Sequence, residues 1–287
     1  MGTGIGNNTA RPSKKSSHPE YSIKRTGRPF SSEYRIYFER TSPFCSLEYW
    51  DDILDKKPRF VKNCFPYKGY LWNYGALPQT WEDPHSHHPD THAPGDNDPL
   101  DVIEIGRAVA RPGDVLRVRP LGILGLLDEG KTDWKLLVIN VDDPLARGHD
   151  ALRDIGDVED RLPGLLDAAR DWFRIYKVPD GKKPNDFAFH GAWRDRKYAE
   201  RIIDECEDAW KKLVHGQVKA KDVSVENTTL DGTPGKLDPD SVSLPKDEDR
   251  SPAPVEQDLD EWFYLDRDNL EGDVRSEGGM NIMLELG

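Results

Sequence analysis

From Tyr21 to Glu39 apolar and polar positions alternate, and Tyr34, Ile36 and Phe38 share one face of an expected strand. Between residues 101 and 141 there are four short apolar runs: Asp101 to Ile105, Val115 to Val118, Leu121 to Leu127 and Trp134 to Val141. Gly, Pro and Asp separate them. Such spacing predicts a β-meander of the kind found in small barrels and sandwiches. The period then lengthens. Leu165, Ala169, Trp172 and Phe173 recur at helical spacing, with Pro179 and Gly181 to end the segment. Tyr198, Ile202, Cys206, Ala209, Trp210 and Leu213 form an amphipathic stripe that predicts a second helix. Beyond residue 218 the pattern gives way to Asp, Pro, Ser and Thr, interrupted by Trp262-Phe263-Tyr264, a patch able to dock on the body. No internal repeat is visible. The expectation is a mainly β domain with flanking helices (α+β) over residues 21–217, a disordered tail over 1–20, and a largely extended acidic tail over 218–287 with its docking patch near 260–264.

Charge sharpens this division. Residues 222–287 carry 18 acidic and 5 basic side chains, which accounts for the whole net charge of −13, and the remaining 35 acids and 35 bases cancel. The acidity therefore belongs to the tail, and no basic stripe suggests nucleic-acid binding. An apolar content of 36% against 32% charged residues also fits a chain that is partly solvated tail. Cys45, Cys64 and Cys206 are few, odd in number and widely spaced, as expected of free thiols in a reducing compartment. No run of about 18 apolar residues predicts a membrane span. Residues 1–19 are basic, Ser-rich and free of acids; a ragged tail is favoured over a mitochondrial presequence, so the expected location is the cytoplasm, with the mitochondrion as the alternative. Gly6 stands where a myristoylation signal wants Ser or Thr.

Candidate chemistry falls into three clusters. Gly95-Asp96-Asn97-Asp98-Pro99-Leu100-Asp101 places three carboxylates just before a strand. Hard cations such as Mg²⁺ take oxygen ligands, and closely spaced carboxylates repel one another unless a cation lies between them. Taken alone, an ordinary polar turn explains the cluster better. Leu127-Asp128-Glu129-Gly130-Lys131-Thr132-Asp133-Trp134-Lys135 reads as a hairpin joining two strands, with Asp133 and Lys135 on one face; a charged hairpin tip is the plain alternative. Arg174-Ile175-Tyr176-Lys177 lies at the expected helix end, where Lys177 suits either the helix dipole or a phosphate clamp. Arg59 offers a bidentate guanidinium. Tyr70 and Tyr74 serve either as core aromatics or as hydroxyl donors. Together these residue types match cleavage of a small, highly charged anion such as pyrophosphate, where metal ions neutralise charge and acidify water while cationic and hydroxyl side chains hold the phosphate oxygens.

The strings Gly95–Asp101, Leu126–Lys135, Trp172–Gly181 and Asn73–Pro84 together closely resemble the eukaryotic type of family I soluble inorganic pyrophosphatase. The likeness runs from about Arg59 to Val214, more weakly back to Tyr21, and again at Asp260–Tyr264. It implies an OB-like five-stranded β-barrel with flanking helices, Mg²⁺-dependent hydrolysis of pyrophosphate, and a homodimer. Carried over by motif position, Asp96, Asp101 and Asp133 would ligate the activating metals, with Asp128 joining Asp133 at those that arrive with substrate. Asp98 would be the general base. Arg59, Tyr74, Lys135, Tyr176 and Lys177 would bind phosphate, and Tyr70 would support them.

One departure stands out. Between its first strands and the Arg59 motif the resembled family carries a segment with two glutamates and a lysine facing the site. Here Phe38 is followed closely by Thr41-Ser42-Pro43-Phe44-Cys45-Ser46-Leu47-Glu48-Tyr49-Trp50 and then by Arg59. Several tens of residues, among them a metal-binding Glu, a phosphate-binding Lys and at least one barrel strand, are expected to be missing. The alternative expectation is therefore a catalytically impaired relative serving as a binding or scaffold protein. The loop Pro84-His85-Ser86-His87-His88-Pro89-Asp90-Thr91-His92 matches nothing fixed in that family. A solvated loop is favoured over a weak Zn²⁺ or Ni²⁺ site.

Overall fold

A computed structural model of the chain describes residues 21–29, 35–40, 46–50, 53–54, 57–58, 60–111, 113–220, 223–242, 246–252 and 258–265. Strands β1 (Tyr21–Thr26), β2 (Arg35–Arg40) and β3 (Ser46–Trp50) pair antiparallel in sequence order, and β4 (Ile53–Leu54) pairs with β5 (Lys57–Pro58). The acidic segment lies against this part of the chain: Glu248 N donates to Arg25 O (2.6 Å) and Arg25 N to Asp247 Oδ1 (2.6 Å).

The remaining strands are β6 (Asn63–Cys64), β7 (Asn73–Ala76), β8 (Asp101–Glu104), β9 (Val118–Asp128), β10 (Lys131–Asn140), β11 (Asp186–Phe187), β12 (Arg194–Asp195) and β13 (Trp262–Phe263). A mixed six-stranded sheet runs β11-β9-β10-β8-β7, with β12 also on β9; among the described residues this path does not close on itself. The body is mainly β with flanking helices, as expected. The meander is not: β8 pairs with β10 in parallel, and Val115–Arg117 is loop rather than a strand of its own. A single strand, β9, runs from Val118 through Pro120. The register shifts between Leu137 and Val138, so Pro120, which lacks an N–H, falls at an irregularity where the ladder tolerates it.

Alternation along β10 sorts the core into two layers. Leu137 and Ile139 join Ile103, Leu124 and Leu126 against Trp172 and Phe173 of α2 (Leu165–Ile175); α1 (Ile155–Arg161) adds Val158. Trp134, Leu136 and Val138 pack with Ile123 on the opposite face against Ala199, Ile202 and Cys206 of α3 (Arg196–Val214). Burying each large side chain contributes roughly 1.5–3 kcal/mol. Both expected helices are present. α1 was not expected, although Asp154 and Asp157 form the capping box that starts it. At the far end of the chain, Trp262 and Phe263 pair in parallel with Asn63 and Cys64. Cys64 and Cys206 are free and buried. No helix of the described residues is long and apolar enough to cross a membrane.

Candidate active site

The site forms where β8 and β10 begin, on the sheet face that carries α2. Parallel register sets Lys135 beside Asp101, and the two-residue period brings Asp133 onto the same face. Lys135 is only 1% exposed. Its Nζ lies 2.5 Å from Asp101 Oδ2 and 2.7 Å from Asp133 Oδ2, and it donates to the Tyr74 hydroxyl at 3.0 Å. The Tyr74 hydroxyl in turn donates to Asp101 Oδ2. Burial opposes the charge on Lys135, but Asp101 and Asp133 more than offset it, and its pKa stands well above the usual value. The Phe173 ring lies 5.3 Å from Nζ, so α2 closes the cation from behind.

Asp128 and Asp133 flank a tight hairpin. Glu129 (φ 49°) and Gly130 (φ 81°) are both left-handed, as a two-residue primed turn requires. Asp128 ends β9 and forms an ion pair with Lys177, just past the C-terminus of α2. Lys177 thus meets a specific carboxylate as well as the helix dipole. Tyr176 is buried and stacks on Trp172 at 4.7 Å. Tyr70 is partly exposed, with its ring 4.7 Å from Tyr74 and 5.0 Å from Trp172. Arg59 lies outside the described residues.

The Asp96–Asp101 loop is held by a neighbour that the sequence left without a role. Glu82 N donates to Asp98 O (2.9 Å), Asn97 N to Glu82 O (3.0 Å) and Gly95 N to Asp83 O (3.0 Å). Residue 95 must be glycine for this approach, since a Cβ there would stand 2.4 Å from the Glu82 carbonyl. Asp98 N donates back to Asp96 Oδ1 at 2.9 Å, and the Asp98 side chain faces solvent. One carboxylate oxygen from each of Glu82, Asp96 and Asp133 lies within 4.8 Å of the others. Glu82 lies within the Asn73–Pro84 string that carries the resemblance, but that string gave it no role, because its partners are distant in sequence.

Burial raises the pKa of Asp96 to about 6, reinforced by the Asp98 and Asp101 charges. It also lifts Glu82 and Asp133 well above the usual carboxylate range, each helped by neighbouring acids and opposed by Trp134 N–H or Lys135 respectively. Three buried carboxylate oxygens, Glu82 Oε2, Asp128 Oδ1 and Asp133 Oδ1, have no hydrogen-bond partner among the described residues. Orphaned oxygens of this kind are costly, and a hard divalent cation is the ligand that fits them. The residues present therefore suit a metal.

Among the described residues, the histidine loop does not gather a metal-sized cluster with neighbouring His, Cys, Asp or Glu. His88 Nε2 lies 3.2 Å from Glu205 Oε2, and His85 Nε2 lies 3.2 Å from Lys219 O, so the loop is tied to α3 and the chain beyond it.

Residues 27–211 match the family model described as inorganic pyrophosphatase. The inorganic pyrophosphatase of Emericella nidulans is 45% identical over 283 aligned positions, spanning 85% of this chain and 98% of that one. The Candida albicans enzyme is 54% identical over 215 residues, spanning 75% of this chain and 74% of the relative. Because 283 aligned positions draw on only 85% of a 287-residue chain, a few tens of positions in the first relative face a gap here. Among solved structures, the inorganic pyrophosphatase of Schistosoma japonicum superposes with a TM-score of 0.77 at 35% identity, covering 86% of this chain and 100% of its own. An N-terminally truncated vacuolar soluble pyrophosphatase of Trypanosoma cruzi, solved in complex with PPi, superposes at 0.56 with 30% identity, covering 74% and 97%.

Proposed function

The chain belongs to the inorganic pyrophosphatase family, and we propose that Mg²⁺ held by Asp96, Asp101, Asp133 and Asp128 supports its reaction. That reaction is hydrolysis of inorganic pyrophosphate to two orthophosphates, and the family is metal-dependent. The observation that carries the Mg²⁺ reading is the set of buried, unpartnered carboxylate oxygens beside Lys135 and Lys177. A bound cation supplies neutralisation of phosphate oxygens and lowers the pKa of a water.

The chain's own residues do the rest. Asp98, exposed at the loop tip, takes a proton from water as the water oxygen bonds to phosphorus; the bridging P–O bond breaks and its electron pair leaves with the second phosphate. Lys135 and Tyr74 fix Asp101, so the acids on β8 and β10 keep their spacing when substrate enters. Tyr176, Lys177 and Arg59 are proposed to hold phosphate oxygens, with Tyr70 packed behind Tyr74.

Exposed Phe65 (54%), Trp262 (38%) and Tyr264 (65%) support a homodimer joined through this aromatic face. Free, buried Cys64 and Cys206 support a cytoplasmic setting.

The test is Asp98→Asn. It is expected to lower turnover by at least about a hundredfold while leaving melting and cation binding unchanged. Turnover within tenfold of the parent would remove Asp98 from the role of base.

A further inference from the structure

The fold holds the Glu82 carboxylate through only one of its two oxygens. The ladder to residues 95–98 fixes its backbone, and Trp134 N–H donates to Oε1 at 2.9 Å. The carboxylate plane is therefore anchored from one side. Its second oxygen, Oε2, is buried and has no partner among the described residues, although the residue is only 4% exposed. One carboxylate oxygen each of Glu82, Asp96 and Asp133 lies within 4.8 Å of the others. Three crowded carboxylates, Glu82 and Asp133 buried and Asp96 half-buried, repel one another unless positive charge enters. Lys135 answers Asp101 and Asp133 on the side toward Tyr74. Among the described residues, no hydrogen bond or ion pair links it to Glu82.

We propose that Glu82 is a further carboxylate of the cation site, anchored through Oε1 and presenting Oε2 to the divalent ion held by Asp96 and Asp133. This rests on the metal reading above and adds a residue to it. The competing account is that Glu82 stays protonated and serves only as a neutral hydrogen-bonding spacer beneath the metal loop. Glutamine separates the two. It keeps an acceptor for Trp134 N–H and offers an amide donor to Asp96 or Asp133, so it reproduces a neutral acid but not an anionic ligand.

The experiment is calorimetric titration of Mn²⁺ into metal-free full-length protein without substrate, for the parent, Glu82→Gln, Glu82→Met and Glu104→Gln. Melting curves in EDTA confirm folding. Glu82→Met removes both oxygens at similar volume and serves if the glutamine variant does not melt cooperatively. The expected result is at least a tenfold loss of Mn²⁺ affinity in either Glu82 variant, unchanged affinity in Glu104→Gln, and a metal-free Glu82→Gln that melts at or above the parent's temperature. Parent-like affinity in a folded Glu82 variant would overturn the inference and leave the metal reading standing. Failure of the parent to bind Mn²⁺ would overturn both.

Discussion

Two buried glutamates, hydrogen-bonded near opposite ends of β10, differ in how completely their oxygens are answered. Glu104, at the end of β8, is 5% exposed and fully answered. Its Oε1 accepts from Gly106 N (2.7 Å) and Asn140 N (2.8 Å), and its Oε2 accepts from Asn73 Nδ2 (2.7 Å). Glu82 is 4% exposed, but only one of its oxygens is answered among the described residues, and the Asp96 and Asp133 carboxylates crowd it. Burial is the same in both; satisfaction is not. The open oxygen of Glu82 is the one that the proposed cation would answer.

Lys135 is where a substitution should do the most damage. Replacing it with leucine removes the charge that Asp101 and Asp133 face, and is expected to cost about 3–5 kcal/mol of metal-free stability. Denaturant melts in EDTA measure this, and Mg²⁺ should recover part of the loss. A variant as stable as the parent would mean that the acids do not need that charge.

Glu104→Gln sharpens the other half. One carboxylate oxygen becomes an amide donor facing groups that themselves donate, so stability should fall by about 1–3 kcal/mol. Turnover and cation affinity should stay within a few-fold of the parent. A large loss of cation affinity would erase the distinction between the two glutamates.

The smallest effect is a pH slope. Asp96 holds its proton more tightly folded, with a pKa of about 6, than unfolded, near 3.8. Its contribution to metal-free stability is complete below about pH 4 and is lost as pH rises through 6. The raised Glu82 and Asp133 carry the same sign to higher pH. Asp96→Asn should therefore flatten, without abolishing, the decline in urea midpoint between pH 4 and 6. An unchanged slope would argue against a buried, crowded Asp96.

Much of this site was legible in the sequence because its parts are local. The spacing of Asp133 and Lys135 fixes a shared face on any strand, and the Asp128–Asp133 hairpin carries Gly130 where a left-handed residue is needed. The Asp96–Asp101 loop stood out by charge density. What escaped depends on tertiary approach. Glu82 meets Asp96 through a ladder between two irregular segments, a contact with no sequence period. The parallel pairing of β8 with β10 hides behind apolar runs that look like neighbours in a meander. Pro120 reads as a divider between two strands, yet β9 runs through it because the extra residue of the register shift, Leu121, lies beside it in the same strand. α1 was not expected because its apolar face is short even though its cap is explicit.

The most direct test of the account combines two readings on one sample: phosphate release from pyrophosphate, and thermal melting, in EDTA and across a Mg²⁺ titration. We expect no release in EDTA and release that rises with Mg²⁺. Saturation near 100 times the dissociation constant should add about 2.7 kcal/mol, or roughly 5–10 °C in melting temperature. Equal phosphate release in EDTA and Mg²⁺, with a melting temperature that ignores the cation, would contradict the claim that the orphaned carboxylates are a metal site for hydrolysis.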